Sequence, residues 1–129
     1  MSVLFLLGRI LFSAIFINSG LVGHLMNMKA TSAYAKSTGL PMAEALVPLS
    51  GILIIAGGLM VLLGIKPKIG ALLVLLFLIP TTFTMHRFWG LSDPQMQMMQ
   101  MTNFMKNCAL MGACLMFQYI DRWPLSIKP

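Results

Sequence analysis

Between Ala45 and Ile65 the chain carries no charged side chain. A helix rising ~1.5 Å per residue over that stretch is about 30 Å long, the thickness of a bilayer's hydrocarbon core. In lipid the backbone must satisfy its own hydrogen bonds, and a single uncharged segment can do so only as a helix. Three more apolar stretches surround it, so the spans are read at residues 3–26, 45–65, 69–89 and 101–120. The last is the shortest in uncharged sequence, Asn107 to Ile120, and reaches full length only if Lys106 snorkels to the interface. The expected fold class is all-α: a membrane-embedded antiparallel four-helix bundle, with a short amphipathic helix before the fourth span, forming one domain over residues 1–129.

Composition agrees. Only 9% of the chain is charged and 58% is hydrophobic, whereas a soluble domain carries about 25% charged residues. The net charge of +6 suits anionic headgroups. The basic residues are scattered singly, which excludes a nucleic-acid surface. Arg9 follows apolar residues rather than preceding them, and no A-x-A-like site follows the first run, so the first segment is expected to be retained as a span. Counting Lys and Arg puts Arg9, Lys66, Lys68, Arg122 and Lys128 on one side and Lys29, Lys36, Arg87 and Lys106 on the other. The two lysines in the short second turn tip the balance toward cytoplasmic N- and C-termini in the bacterial inner membrane. Cys108 and Cys114 are separated by about 120° and about 9 Å on a helix and cannot pair with each other.

The connections suit antiparallel neighbours. Gly64 ends one helix and Pro67 prevents its continuation. Thr31 to Lys36 suggest a short helix, broken at Gly39-Leu40-Pro41. Ser92-Asp93-Pro94 reads as an N-cap. Arg9, Ser13, Gly20 and His24 form a stripe within about 60° on the first helix, and Asn103, Asn107, Cys114, Gln118 and Asp121 form a matching stripe on the fourth. If those two helices are neighbours, Arg9 is expected to pair with Asp121 or Gln118.

The far end of the bundle gathers chemistry. His24 ends the first helix and His86 the third, while Lys106 and Asn107 open the fourth; Glu44, Arg87, Trp89 and Asp93 lie at the same level. One reading is a site for a quinone head or small anion, with His86 as hydrogen-bond donor or proton carrier. His24, Lys106 and Asn107 would support it, and Trp89 would stack on the ring. The other is an interfacial belt in which Arg87 and Lys106 hold lipid phosphates and Trp89 floats at headgroup depth. Two His and one Glu lack a metal-motif spacing, and no metal site is assigned. Met96, Met98, Met99, Met101 and Met105 could bind Cu(I), but Met98, Met101 and Met105 repeat as one face of an interfacial helix. No Ser/His/Asp set, phosphate-binding loop or paired carboxylates occur, and nothing holds a haem, flavin or iron–sulfur centre.

The chain resembles the DoxX family. The resemblance rests on LLGRILFSAIFINSGLVGHL with Arg9, Ser19 and Gly20, then AYAKSTGLPMA, GGLMVLLGIKPKIGALL, HRFW and FMKNCALMGACL, in that order. It implies a four-helix bundle in the bacterial inner membrane. Some members are subunits of thiosulfate:quinone oxidoreductase and others are linked to membrane-associated redox defence and thiol oxidation. The match points to His86, Trp89, Lys106 and Asn107. It also shows a departure: where many relatives carry an acidic residue in the second helix, this chain has Ile54. The expected function is a small subunit of a quinone-linked redox system, with quinone as the cofactor and electrons arriving from a partner protein or the substrate. The expected partners are the lipid bilayer and either another protein or further copies of the chain. The alternative is a non-catalytic anchor or assembly subunit that docks a larger membrane complex through its outer loops and Met-rich helix. A solute carrier is disfavoured, since four short spans leave little room for a gated path.

Overall fold

The computed structural model describes residues 2–128. The regular elements among the described residues are helices, in the order α1 (Ser2–Asn18), which continues as a π-helical stretch (Ser19–Met26), α2 (Met28–Ser37), α3 (Ala43–Leu63), α4 (Pro67–Met85) and α5 (Pro94–Phe117). Three of these, Ser2–Met26, Ala43–Leu63 and Pro67–Met85, are long and apolar enough to cross a bilayer. Their outward residues are apolar too: Leu4, Leu11, Ile52 and Leu76 are all more than half exposed. A soluble protein does not leave so much aliphatic surface bare, whereas lipid is a good solvent for it.

α5 departs from the expected pattern. The amphipathic helix and the fourth span form one continuous 24-residue helix. It is long enough to span, but Gln95, Gln97, Gln100, Asn103 and Asn107 leave it outside the set of apolar spans. Its start is as expected: the Asp93 carboxylate accepts from the Gln95 amide at 3.2 Å, and Pro94 takes the first helical position. The third span also ends sooner than expected, at Met85. His86 and Arg87 are drawn instead into side-chain bonds with Gln100 and with the Thr38 carbonyl.

α3 is the central element, packing against α1, its π-helical continuation, α2 and α4; α5 lies against α4. Glycines set the close approaches. A Cβ on Gly20 would sit 2.7 Å from the Gly51 carbonyl oxygen, and one on Gly57 would sit 2.8 Å from that of Gly70. With no water to expel between helices in lipid, such backbone proximity is the main source of their adhesion. Phe16, Ile54, Val61, Val74, Leu78 and Cys114 fill the core between the helices. Ile54 is fully buried there.

Arg9 corrects the sequence expectation. It is 2% exposed but meets neither Asp121 nor Gln118. Its Nε donates to the Val61 carbonyl at 3.1 Å and its Nη2 to Leu62 at 2.7 Å, while Nη1 and Nη2 hold the carbonyls of Pro124 and Leu125 at 2.6 and 3.2 Å. The last turn of a helix leaves carbonyls without partners and carries partial negative charge. At the end of α3 each finds one: Met60 accepts from Ile65, Val61 and Leu62 from Arg9, and Leu63 from the Ile127 amide. The C-terminal tail is thereby fastened across the α3–α4 turn, where Ile65 and Lys128 form an isolated bridge. Trp123 pins the tail further, 5% exposed between Phe5 and Phe117. Asp121 instead reaches Lys68 at 3.4 Å with its carboxylate 97% exposed, an ion pair of little energetic weight. α1 and α5 do meet, but through Phe12 on Phe117, with ring centroids 4.9 Å apart.

Candidate functional site

At the opposite end of the helices from Arg9 lies a cavity of about 640 Å³. α1's π-helical continuation, α2, α3, α4 and the middle of α5 all contribute to its wall. Most of the lining is aliphatic, and Leu49 and Leu76 belong to it although they are 61% and 63% exposed. The wall therefore runs out to the lipid-facing surfaces of α3 and α4, and the cavity opens sideways at the depth of the spans.

Of the site residues expected from sequence, His24, His86, Lys106 and Asn107 all line this cavity. Trp89 does not. It stands on the outside, 49% exposed, in an aromatic cluster with Phe88 and Phe104 whose ring centroids are 5.3 to 5.8 Å apart. Glu44 is also outside the cavity, 3.8 Å from Lys36 at the surface.

The His86 proton is fixed by a chain of partners that begins at a backbone carbonyl. The Met85 carbonyl can only accept, so the Tyr34 hydroxyl, 2.9 Å away, donates to it. With its hydrogen committed, the Tyr34 oxygen accepts from the Gln100 Nε2 at 3.0 Å. That turns the Gln100 Oε1 toward His86, whose Nδ1 is 2.9 Å from it. An amide oxygen is an acceptor only, so His86 holds its hydrogen on Nδ1 and leaves Nε2 with a free lone pair. His86 titrates below its ordinary value: burial disfavours the imidazolium, and the Lys106 charge adds to this, against the opposing bond to Gln100. The ring is neutral at pH 7.

His24 is held in the same way. Its Nδ1 faces the Val47 carbonyl at 3.1 Å and the Ser50 hydroxyl at 2.9 Å, while that hydroxyl donates to the Val47 carbonyl at 2.8 Å. Both neighbours present lone pairs, so the hydrogen sits on Nδ1 here too. Phe77 packs edge-on against the ring at 5.4 Å. The π-helical winding of residues Ser19–Met26 carries His24 onto α3, where a Cβ on Gly51 would lie 2.6 Å from the His24 Cβ.

Asn107 differs from these. It is 5% exposed, and its carboxamide makes no hydrogen bond among the described residues. Its side-chain nitrogen and oxygen are not fully enclosed and keep accessible surface on the cavity that the residue lines. Lining the cavity, it has both a donor and an acceptor free for a ligand. Lys106, its neighbour, adds an ammonium without an ion-pair partner among the described residues.

Tyr34 and Ser50, which line the cavity, and Gln100, which bonds His86, were not among the candidate positions read from the sequence. Gln100 had a signal: it lies two turns before Asn107 on the same α5 stripe, hidden when the fourth span is begun at residue 101. Tyr34 and Ser50 had none, because their partners are far away in sequence.

The DoxX family model matches residues 4–87 of the chain. No curated protein and no solved structure matches it.

Proposed function

The chain belongs to the DoxX family, and from that premise we propose that it is a four-span subunit of a quinone-linked redox system in the bacterial inner membrane, its termini cytoplasmic and α5 its fourth span. The cavity receives the quinone head. The observation that carries this reading is the free Asn107 carboxamide in a largely aliphatic cavity open toward lipid, with His24, His86 and Lys106 around it. A quinone takes up two electrons and two protons on reduction; the electrons come from a thiol or thiosulfate oxidised by a partner protein. Lys106 and Asn107 hold the ring oxygens. His86, through its unprotonated Nε2, exchanges protons with them, and His24 supports it. Trp89 serves as an interfacial anchor beside Phe88 and Phe104 rather than as a stacking partner.

The test is binding of a decyl-substituted benzoquinone to the purified protein in nanodiscs. Asn107→Leu and Lys106→Met are each expected to weaken it at least tenfold, about 1.4 kcal/mol, while helicity by circular dichroism is unchanged. Unaltered affinity in both variants would refute the site.

A second reading is favoured by α5 itself. Met96, Met98, Met99, Met101 and Met105 are all at least 40% exposed, an adaptable apolar surface suited to docking a larger complex. In that case Met98→Ser with Met101→Ser shifts the native particle to lower mass, and the cavity variants leave it unchanged.

A further inference from the structure

Hydrogen-bond direction says more about the ligand than the cavity's shape does. A dione offers only lone pairs; a hydroquinone offers two O–H donors. The ring nitrogens left to the cavity are Nε2 of His86 and Nε2 of His24, since both Nδ1 atoms are committed to acceptors, Gln100 Oε1 in one case and the Val47 carbonyl in the other. Both are hydrogen-bond acceptors. Two lone pairs facing a dione's oxygens repel it, whereas each matches a hydroxyl. Lys106 and Asn107 attract the oxygens of either form and do not discriminate. The titratable and charged groups in the cavity wall are His24, Tyr34, His86 and Lys106; no carboxylate is among them. The lateral opening past Leu49 and Leu76 admits a head whose alkyl tail stays in the bilayer.

We infer that the cavity selects the reduced, hydroxyl-bearing form of a lipid-borne ligand, a hydroquinone, over the corresponding dione, because Tyr34 and Gln100 lock His86 as an acceptor. This rests on the quinone reading above and deepens it. Holding the reduced form more tightly makes a bound dione easier to reduce, the direction in which a thiol or thiosulfate donor must push electrons. Tyr34 and Gln100 are positioning residues: they act through His86.

Binding of decyl-benzoquinone and of decyl-hydroquinone, kept reduced under anaerobic conditions, to the full chain in nanodiscs decides the matter. At pH 7.5 the hydroquinone is expected to bind at least tenfold tighter, equivalent to a midpoint potential about 30 mV higher for the bound two-electron couple. As the pH is lowered until His86 takes up a second proton, Nε2 becomes a donor and that preference should shrink. Tyr34→Phe frees the Gln100 amide to turn and lets His86 carry its hydrogen on Nε2. The ratio should then fall toward unity while the tighter of the two affinities drops less than tenfold, a change that simple loss of packing would not produce. Equal affinities for the two forms in the unaltered protein, or tighter binding of the dione, overturn the selectivity and leave the quinone site standing. Binding of neither form overturns both.

Discussion

Replacing Arg9 by Met keeps the length and apolar body of the side chain and removes all of its donors. The structure sets the size of the effect. The guanidinium serves two carbonyls in the last turn of α3, Val61 and Leu62, and two in the tail, Pro124 and Leu125. The tail carbonyls can recover partners if the tail lifts into water. The Val61 and Leu62 carbonyls stay with the helix, and each buried carbonyl left bare costs about 1–3 kcal/mol. The expected loss is therefore about 2–6 kcal/mol. Contact between the cation and the Phe5 ring, at 5.8 Å, adds to the loss. Unfolding in mixed micelles, followed by circular dichroism as the denaturing detergent fraction rises, gives the stability change. Limited carboxypeptidase digestion reports release of the tail. Arg9→Lys retains the charge but cannot span four carbonyls with one ammonium, and should fall between. An Arg9→Met protein within about 0.5 kcal/mol of the unaltered one, with an equally protected tail, would show that the guanidinium does not fasten α3 to the C-terminus.

The lowered His86 pKa makes stability pH-dependent with a definite sign. The unfolded chain binds the proton first, so the contribution is complete above about pH 6.5 and is lost as pH falls through the lower folded value; thermal midpoints between pH 7.5 and 5 should decline, and less so in His86→Gln. Gly57→Val forces a side chain against the Gly70 carbonyl and the Val74 side chain and should cost about 1–3 kcal/mol, whereas Gly112→Ala, with nothing within 4 Å of the new Cβ, should be neutral or stabilising by up to about 1 kcal/mol, as read by the same unfolding titration. In a background with Cys108 and Cys114 replaced by Ser, single cysteines at Met28 and Leu91 should both react with an impermeant maleimide from the outer side; labelling from opposite sides would refute the placing of the His24 and His86 helix ends at one face.

Three of the four expected spans were legible because burial in lipid is a local demand: Ala43–Leu63 must be helical whatever it packs against. The inward stripe on α1 was legible for a related reason. Arg9, Ser13 and Gly20, all buried, are the residues that lipid tolerates least or that let backbones approach. The Asp93 cap and the Gly64 turn were readable because each is settled within four or five residues. The expected break between an interfacial helix and the fourth span is absent because Lys106 alone does not interrupt a helix, while Asp93-Pro94 provides a start and no residue between Gln95 and Phe117 breaks it. The Arg9 partners cannot be read from side-chain charges, because all of them are backbone carbonyls. A helix end is as good an anion for Arg9 as a carboxylate.

What the sequence determined by itself was the number of long helices, their polar faces, and the gathering of His24, His86, Lys106 and Asn107 at one end, since antiparallel connection of helices of similar length leaves no other placement. What only the tertiary structure decided was the state of those groups. Which ring nitrogen carries hydrogen, that Asn107 is left unbonded, that Trp89 faces outward and that the tail closes α3 all depend on contacts between residues tens of positions apart. Hydropathy and helical period encode the direction in which a side chain points. They do not encode the acceptor it meets there, and that meeting fixes the chemistry.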